Sequence, residues 1–177
     1  MRFFSAIFPA NNNNLQGQDS KTILKPSLRM DFNRSAWGDE NNCYAYALNA
    51  PQAGWARPGN LALVKNKEYP DNLITPANIK EYLLHKDGLE EITEYEALSG
   101  RFHAIAARVA VNCDYHFYRF DELDGSWSHK HGGGIPENRD GENELITNPG
   151  TLKDHIYTEF LGYFAIPPAG ILYVPRL

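Results

Sequence analysis

The run Tyr115-His116-Phe117-Tyr118-Arg119-Phe120, a polar turn over 121–125 and the return Ser126-Trp127-Ser128-His129-Lys130 decide the fold. The first run alternates and both are rich in aromatics, the pattern of strands whose successive side chains point to opposite faces. A short polar turn between two such runs makes them an antiparallel hairpin. With the turn centred between Glu122 and Leu123, His116 faces His129 across the two strands, and a slip of one residue brings Ser128 or Lys130 opposite instead.

Upstream, residues 103–111 (His-Ala-Ile-Ala-Ala-Arg-Val-Ala-Val) read as a buried strand, joined to the hairpin by a turn over 112–114. Downstream, His131-Gly132-Gly133-Gly134 breaks the pattern and 137–144 is a charged loop. Two apolar segments, 160–166 and 171–174, are split by Pro167, Pro168 and Gly170 and read as closing strands. Further towards the N-terminus stands Trp37-Gly38-Asp39-Glu40-Asn41-Asn42-Cys43-Tyr44-Ala45-Tyr46-Ala47-Leu48-Asn49. Gly38 and the Asp and Asn residues form a loop that ends in an N-cap, and Cys43 opens a short helix that Asn49 and Pro51 terminate. Small Ala45 and Ala47 let that helix lie close against a sheet. A second helix runs from Thr75 or Pro76 to His85, with Ile79, Tyr82 and Leu83 at helical spacing and Gly88 at its end. The expected fold is therefore α+β, with a Cys-bearing helix packed on an antiparallel sheet. Residues 9–26 are polar and aperiodic, so 1–27 is expected to be a polar, flexible N-terminal segment and 28–177 a single domain.

At 177 residues the chain has room for one domain with its own core, without a disulfide or a metal to staple it. The net charge is −5 and the basic residues are scattered, so the electrostatic footprint of a nucleic-acid binder is missing. No stretch approaches the roughly 18 apolar residues of a membrane span. The opening Met1–Phe8 run stops at Pro9, too short for a secretory signal, which points to a protein made in the cytoplasm without a recognisable signal peptide. Cys43 and Cys113 are expected to be free thiols.

The chemistry centres on Cys43 and His116. A cysteine in the first turn of a helix meets unpaired backbone N–H groups that favour its thiolate, and a downstream His on a strand is the base such a nucleophile needs. His129, across the hairpin, is placed to hold that imidazole in one tautomer. Asn42 is an N-cap or an oxyanion donor. Cys113 reads as core, and Asp140-Gly141 as a turn. His116, His129 and His131 are alternatively metal ligands, with Asp140 or Asp114 as a carboxylate partner, although no standard zinc spacing is present. A third possibility is a binding module in which Tyr44, Tyr46, Tyr118 and Trp127 form an aromatic recognition surface.

The segments NNCYAYALN and DYHFYRFDELDGSWSHKHGG resemble a loosely defined group of bacterial and phage proteins that is itself similar in layout to papain-like thiol hydrolases. The resemblance covers roughly Trp37 to Pro149. It implies a papain-like core with Cys43 as nucleophile and His116 as base; with His129 as the orienting partner that the hairpin suggests, no cofactor or metal is expected. Asn42, Tyr44 and Trp127 are then expected at the substrate. The implied activity is cysteine-dependent amide hydrolysis or acyl transfer on a protein, a peptide or a peptidoglycan peptide, by an effector or toxin delivered out of the cell by a dedicated system. The alternative is a non-enzymatic binding or virion-associated module on the same scaffold. Trp37 stands where papain-like enzymes carry an oxyanion-stabilising Gln six residues before the Cys.

Overall fold

The computed structural model describes residues 21–32, 37–63 and 69–176. Strand β1 (Thr22–Leu24) precedes helix α1 (Cys43–Ala47) and helix α2 (Pro76–Glu81), which runs on into a π-type turn over Tyr82–Lys86. There follow β2 (Glu90–Ile92), α3 (Glu94–Ala97), β3 (Ala104–Ala110), β4 (Asp114–Asp121), β5 (Ser126–Lys130), β6 (Pro136–Glu137), β7 (Glu159–Ala165) and β8 (Ile171–Tyr173). Six strands form one sheet in the order β2-β7-β3-β4-β5-β6, each neighbouring pair antiparallel, and β1 pairs with β8 in a separate ribbon. The class is α+β, and α1 packs on β4 and β5. No helix among the described residues is long and apolar enough to cross a membrane.

Local sequence explains each helix. The Asn42 side chain accepts from the Ala45 amide at 3.1 Å and starts α1. Thr75 caps α2 in the same way, with Pro76 pre-set for its first turn, and Gly88 at φ +79° supplies the left-handed residue that ends the helical run. Thr93 and Glu96 form a reciprocal capping box on α3.

β3 is buried along its whole length, and β4 everywhere except Asp114, because both faces of the sheet are covered. On one face Ile105, Ala107, Val109, Tyr115 and Phe117 pack against α1 and against Ile79 and Leu83 of the α2 run. On the other, Ala104, Ala106, Tyr118, Phe120, Trp127 and Tyr163 pack with Ala97 of α3 and with Ile146. Residues 138–158, which carry no long element, close this second face. Arg108 holds them there: its guanidinium donates to the carbonyls of Tyr157 (2.6 Å), Pro149 (2.7 Å) and Thr158 (3.2 Å).

Three expectations change. First, the hairpin pairs Tyr118 with His129, Arg119 with Ser128 and Phe120 with Trp127, so His129 does not stand directly opposite His116. The turn is centred later than expected, because the amides of Asp124 and Gly125 both close on the Asp121 carbonyl and Gly125 takes a left-handed φ of +62°. The displacement is two residues, which preserves the face, so His129 stays on the side of His116 as its diagonal neighbour. Second, the folded part takes in residues before Leu28. β1 lies within the segment expected to be flexible, Lys25 donates to the Ala169 carbonyl, and the Ser27 amide donates to His103 Nδ1. Residues 1–20 of that expectation lie outside the described residues. Third, Cys113 is exposed in the turn before β4 and is not core.

Candidate active site

Helix α1 is fixed at both ends and on its flank. Tyr46 Oη lies 2.6 Å from Ser128 Oγ, Ser128 donates in turn to Asp121, and Asp121 is paired with Arg119 at 2.8 Å. Arg119 also donates to Tyr46 Oη at 3.1 Å. Since Ser128 gives its proton to the carboxylate, Tyr46 must give its own to Ser128 and accept from Arg119, a closed circuit with every partner satisfied. At the C-terminal end His103 Nε2 donates to the Ala47 carbonyl at 2.8 Å. Beside Cys43, Tyr44 Oη donates to Asp87 at 2.8 Å, and Asp87 also accepts the Gly59 amide at 2.7 Å. Burial raises the Asp87 carboxyl to about 7.

Cys43 opens α1 as expected and is only 6 % exposed. Its Sγ lies 3.9 Å from the Tyr115 carbonyl, so the thiol abuts the strand backbone next to His116. Among the described residues it makes no hydrogen bond to His116 itself. By strand alternation the His116 side chain projects to the opposite side from Tyr115 and Phe117, which pack towards α1. Burial raises the thiol to about 12, the Asp114 charge adds to this, and the backbone amides of Phe117, Tyr44 and Cys43 oppose it. A helix of five residues supplies too little field to reverse the effect, so the resting group is a neutral thiol.

His116 Nε2 and His129 Nδ1 are 2.8 Å apart, and His129 Nε2 is 3.1 Å from the Arg139 carbonyl. A carbonyl can only accept, so His129 carries its proton on Nε2. Its Nδ1 is then an acceptor, His116 donates from Nε2, and His116 Nδ1 is left as a bare lone pair. Among the described residues that nitrogen has no hydrogen-bond partner. The His116 ring stacks at 4.6 Å on His131 and at 4.8 Å on Tyr157. Burial, then the neighbouring His129 and His131, hold His116 well below the usual histidine range, and burial first of all brings His129 down to about 4. Both rings are neutral at pH 7. A cavity of about 240 Å³ adjoins His129, lined among others by Tyr118, His131, Asp140, Asp154 and Tyr157.

The ligand atoms of His116, His129 and His131 lie within 4.8 Å of one another, close enough to be weighed as a metal centre. Two imidazole nitrogens on a tetrahedral ion, at bonds of 2.0–2.1 Å, stand about 3.3 Å apart. The 2.8 Å between His116 and His129 is a hydrogen bond, and both nitrogens of His129 are already engaged. The near-parallel stack of His116 on His131 sends their in-plane lone pairs side by side and not towards a common point. The arrangement fits a proton relay, and a metal would have to dismantle it.

The three residues expected at the substrate are buried. Trp127 is fully buried in the second core, between Phe120 and Tyr163. Tyr44 is fully buried beneath α1, 4.4 Å from the Phe117 ring. Asn42 stands beside Cys43 and is engaged at both ends of its amide, Oδ1 accepting from the Ala45 amide and Nδ2 donating to the Ala56 carbonyl, so it serves as the helix cap. Tyr46 and Tyr118 are buried as well, so the four aromatics do not form a recognition surface. The Arg139 carbonyl and Tyr157 belong to the site without having been expected there. Both lie in an aperiodic stretch whose path over the sheet leaves no signature in the sequence.

The chain is similar to "Insoluble matrix shell protein 1" of Ruditapes philippinarum, with 33% identity over 128 residues that cover 72% of this chain and 80% of that protein. No family model matches the chain, and no solved structure matches it.

Proposed function

The chain belongs to the family of insoluble matrix shell protein 1, and from that premise and the site geometry we propose that it is a cysteine-dependent amide hydrolase or acyl transferase of papain-like layout. The family name describes a place and a solubility and leaves the chemistry open. The observation that carries the reading is the directed relay from the Arg139 carbonyl through His129 to His116, which leaves His116 Nδ1 basic on the strand whose backbone holds Cys43 Sγ.

In this mechanism the β4 backbone that separates the thiol from His116 yields as substrate binds, the thiol leaves the Tyr115 carbonyl, and His116 Nδ1 takes its proton as sulfur attacks an amide carbonyl. The C–S bond forms while the carbonyl π pair moves to oxygen. The adduct collapses, the C–N bond breaks, and the imidazolium gives its proton to the leaving amine. Water, or an amine in the transferase variant, then attacks the thioester and passes a proton to His116. The acyl group departs and the thiol is restored. His129 acts by holding the His116 tautomer, and with Asn42 engaged the oxyanion falls to the Cys43 backbone N–H.

The substrate class is a protein, peptide or peptidoglycan-peptide amide. The relative's name locates that protein in a shell matrix; carried over to this chain as part of the proposal, it favours a place of action outside the cytoplasm, in line with delivery by a dedicated system. Incubation with peptide amides and peptidoglycan stem peptides, read by mass spectrometry, should show cleavage or aminolysis by the native chain and none by Cys43→Ala. If the two behave alike, with no acyl-enzyme at Cys43, the enzymatic reading is withdrawn. What the relative's name favours instead, a structural component of an insoluble matrix, would then stand.

A further inference from the structure

The segment that covers the second face of the sheet leaves a space beneath it, the cavity of about 240 Å³ beside His129. That is smaller than the roughly 300–1,000 Å³ of ordinary small-molecule pockets and gives room for a single side chain. Its apolar lining comes from Tyr118, Tyr157, Ile146 and Leu152, and its charged groups are sorted by depth. Asp140 and Asp154 are half-buried, whereas Lys153, His131 and His155 are exposed. The two carboxylates are not neutralised from within: among the described residues Lys153 forms no ion pair, and burial keeps His129 uncharged at pH 7.

Each carboxylate has one oxygen taken and one to spare. Asp154 Oδ1 accepts from the amides of Ile156 (2.8 Å) and Tyr157 (2.9 Å), and Asp140 Oδ1 from those of Glu142 (3.0 Å) and Glu144 (2.9 Å). Among the described residues Asp140 Oδ2 has no hydrogen-bond partner, and Asp154 Oδ2 has only the Tyr118 hydroxyl, at 3.5 Å. An O–H···O bond is normally about 2.5–3.0 Å long, and Tyr118 is 1 % exposed, so its hydroxyl is a buried polar group short of a partner at the wall of the cavity. A donor seated against both oxygens supplies what each lacks. One spare oxygen per carboxylate suits a compact ammonium and falls short of the two that a guanidinium fork takes. We propose that this cavity binds the ammonium of a lysine side chain, with its aliphatic stem along Ile146, Leu152 and the tyrosine rings and its charge on Asp154, Tyr118 and Asp140. The inference deepens the reading above by naming the residue of the substrate peptide that the site selects, and it rests on that reading for treating the lysine as part of a substrate.

Binding is read without turnover, in the native chain and in Cys43→Ala, from the NMR shifts of His129 and Tyr157 under titration with Nα-acetyl-lysine N-methylamide. The norleucine counterpart keeps the stem without the charge, the arginine counterpart spreads the charge over a fork, and the glutamate counterpart reverses it. The lysine amide should give saturable shifts in both proteins and bind about tenfold or more tighter than the norleucine amide, with the arginine amide between them, because hydrogen bonds to a charged group are what the uncharged stem lacks. Asp154→Asn keeps the acceptor for the Ile156 and Tyr157 amides while removing the charge, and should weaken the lysine amide by about tenfold without changing the norleucine amide. If that variant does not fold, Asp140→Asn makes the same test from a separate turn. Lys153→Gln should bind the lysine amide at least as well as the native chain does. Equal binding of lysine and norleucine amides, a preference for glutamate, the absence of any saturable shift, or an affinity for lysine indifferent to both Asn variants overturns the proposal. Lysine binding without cleavage of lysine-containing peptide amides would remove the hydrolase reading and leave the cation site standing; cleavage without lysine binding would do the reverse.

Discussion

The bare nitrogen on His116 follows from one carbonyl, that of Arg139, because the proton it fixes on His129 propagates through the next hydrogen bond. His129→Ala should therefore lower turnover by on the order of 10²–10⁴-fold without abolishing it, whereas Cys43→Ala or His116→Ala should each remove nearly all activity. The double variant His116→Ala/His129→Ala should be no worse than His116→Ala alone, and additive losses would show that the rings act independently. Because His116 is held below the usual histidine range, it stays a competent base into acid, and the acid limb of kcat/KM should fall below about pH 6.5. An acid limb above neutrality would mean that the base is protonated at neutral pH and would overturn the neutral relay. A chelator should leave activity unchanged, since the relay occupies the nitrogens a metal would need. At this scale the place of Cys43 at the start of α1 and the meeting of His116 with His129 were legible, because capping residues and strand alternation are local signals. Tyr44 and Trp127 were misplaced for the opposite reason: an aromatic beside a motif serves equally as core, and only the covering of both faces decides which.

Hairpin, helix and their contact were legible as elements, since alternation and capping are local properties of the chain. Their register was not, because it depends on where a left-handed residue sits in the turn, and Gly125 placed the centre later than the polar composition suggested. The short strands β1 and β2 escaped notice because three residues show no period. The element contact has a testable keystone in the buried pair of Arg119 and Asp121, which ties β4 to α1 through Tyr46 and Ser128. Arg119→Ala leaves a buried carboxylate without its cation and should destabilise the fold by about 3–5 kcal/mol in urea unfolding. A loss under about 1 kcal/mol would mean that solvent reaches the pair. Deleting residues up to Ser27 removes β1 from β8 and the donor from His103 Nδ1, and should lower the melting temperature by roughly 4–8 °C, as expected for a loss of about 2 kcal/mol in a chain of this size. An unchanged melt would show that the ribbon is an appendage.

Across the whole molecule, the buried histidines set the response to acid. His103 and His129 are brought down to about 4 and His116 well below its usual range, chiefly by burial, while the unfolded chain protonates near 6.5. Below about pH 6.5 the unfolded state thus binds protons that the native state refuses, and stability falls by up to about 1.4 kcal/mol per pH unit for each group until the folded value is reached. Asp87 acts in the opposite sense. Raised to about 7, it binds a proton in the fold that the unfolded chain has released, so it favours folding as pH drops from about 7 towards 4. Asp121 and Glu122, also raised by burial, act in the same sense. Thermal melts should therefore fall between pH 6.5 and 4, and more steeply for Asp87→Asn than for the native chain; a parallel decline would rule out Asp87 as the opposing group. The overall α+β plan and the Cys-bearing helix on its sheet were readable from periodicity, but the cover over the second face was not, because residues 138–158 have no period and are held by the guanidinium of Arg108. The cover is pinned at several points, by Arg108, by the Trp127 amide on the Ile146 carbonyl and by Tyr157 Oη on Asp114, yet it has no long element of its own. Its amides should therefore exchange before those of β3 and β4, and an opening at its Tyr157 end would uncover that side of the relay.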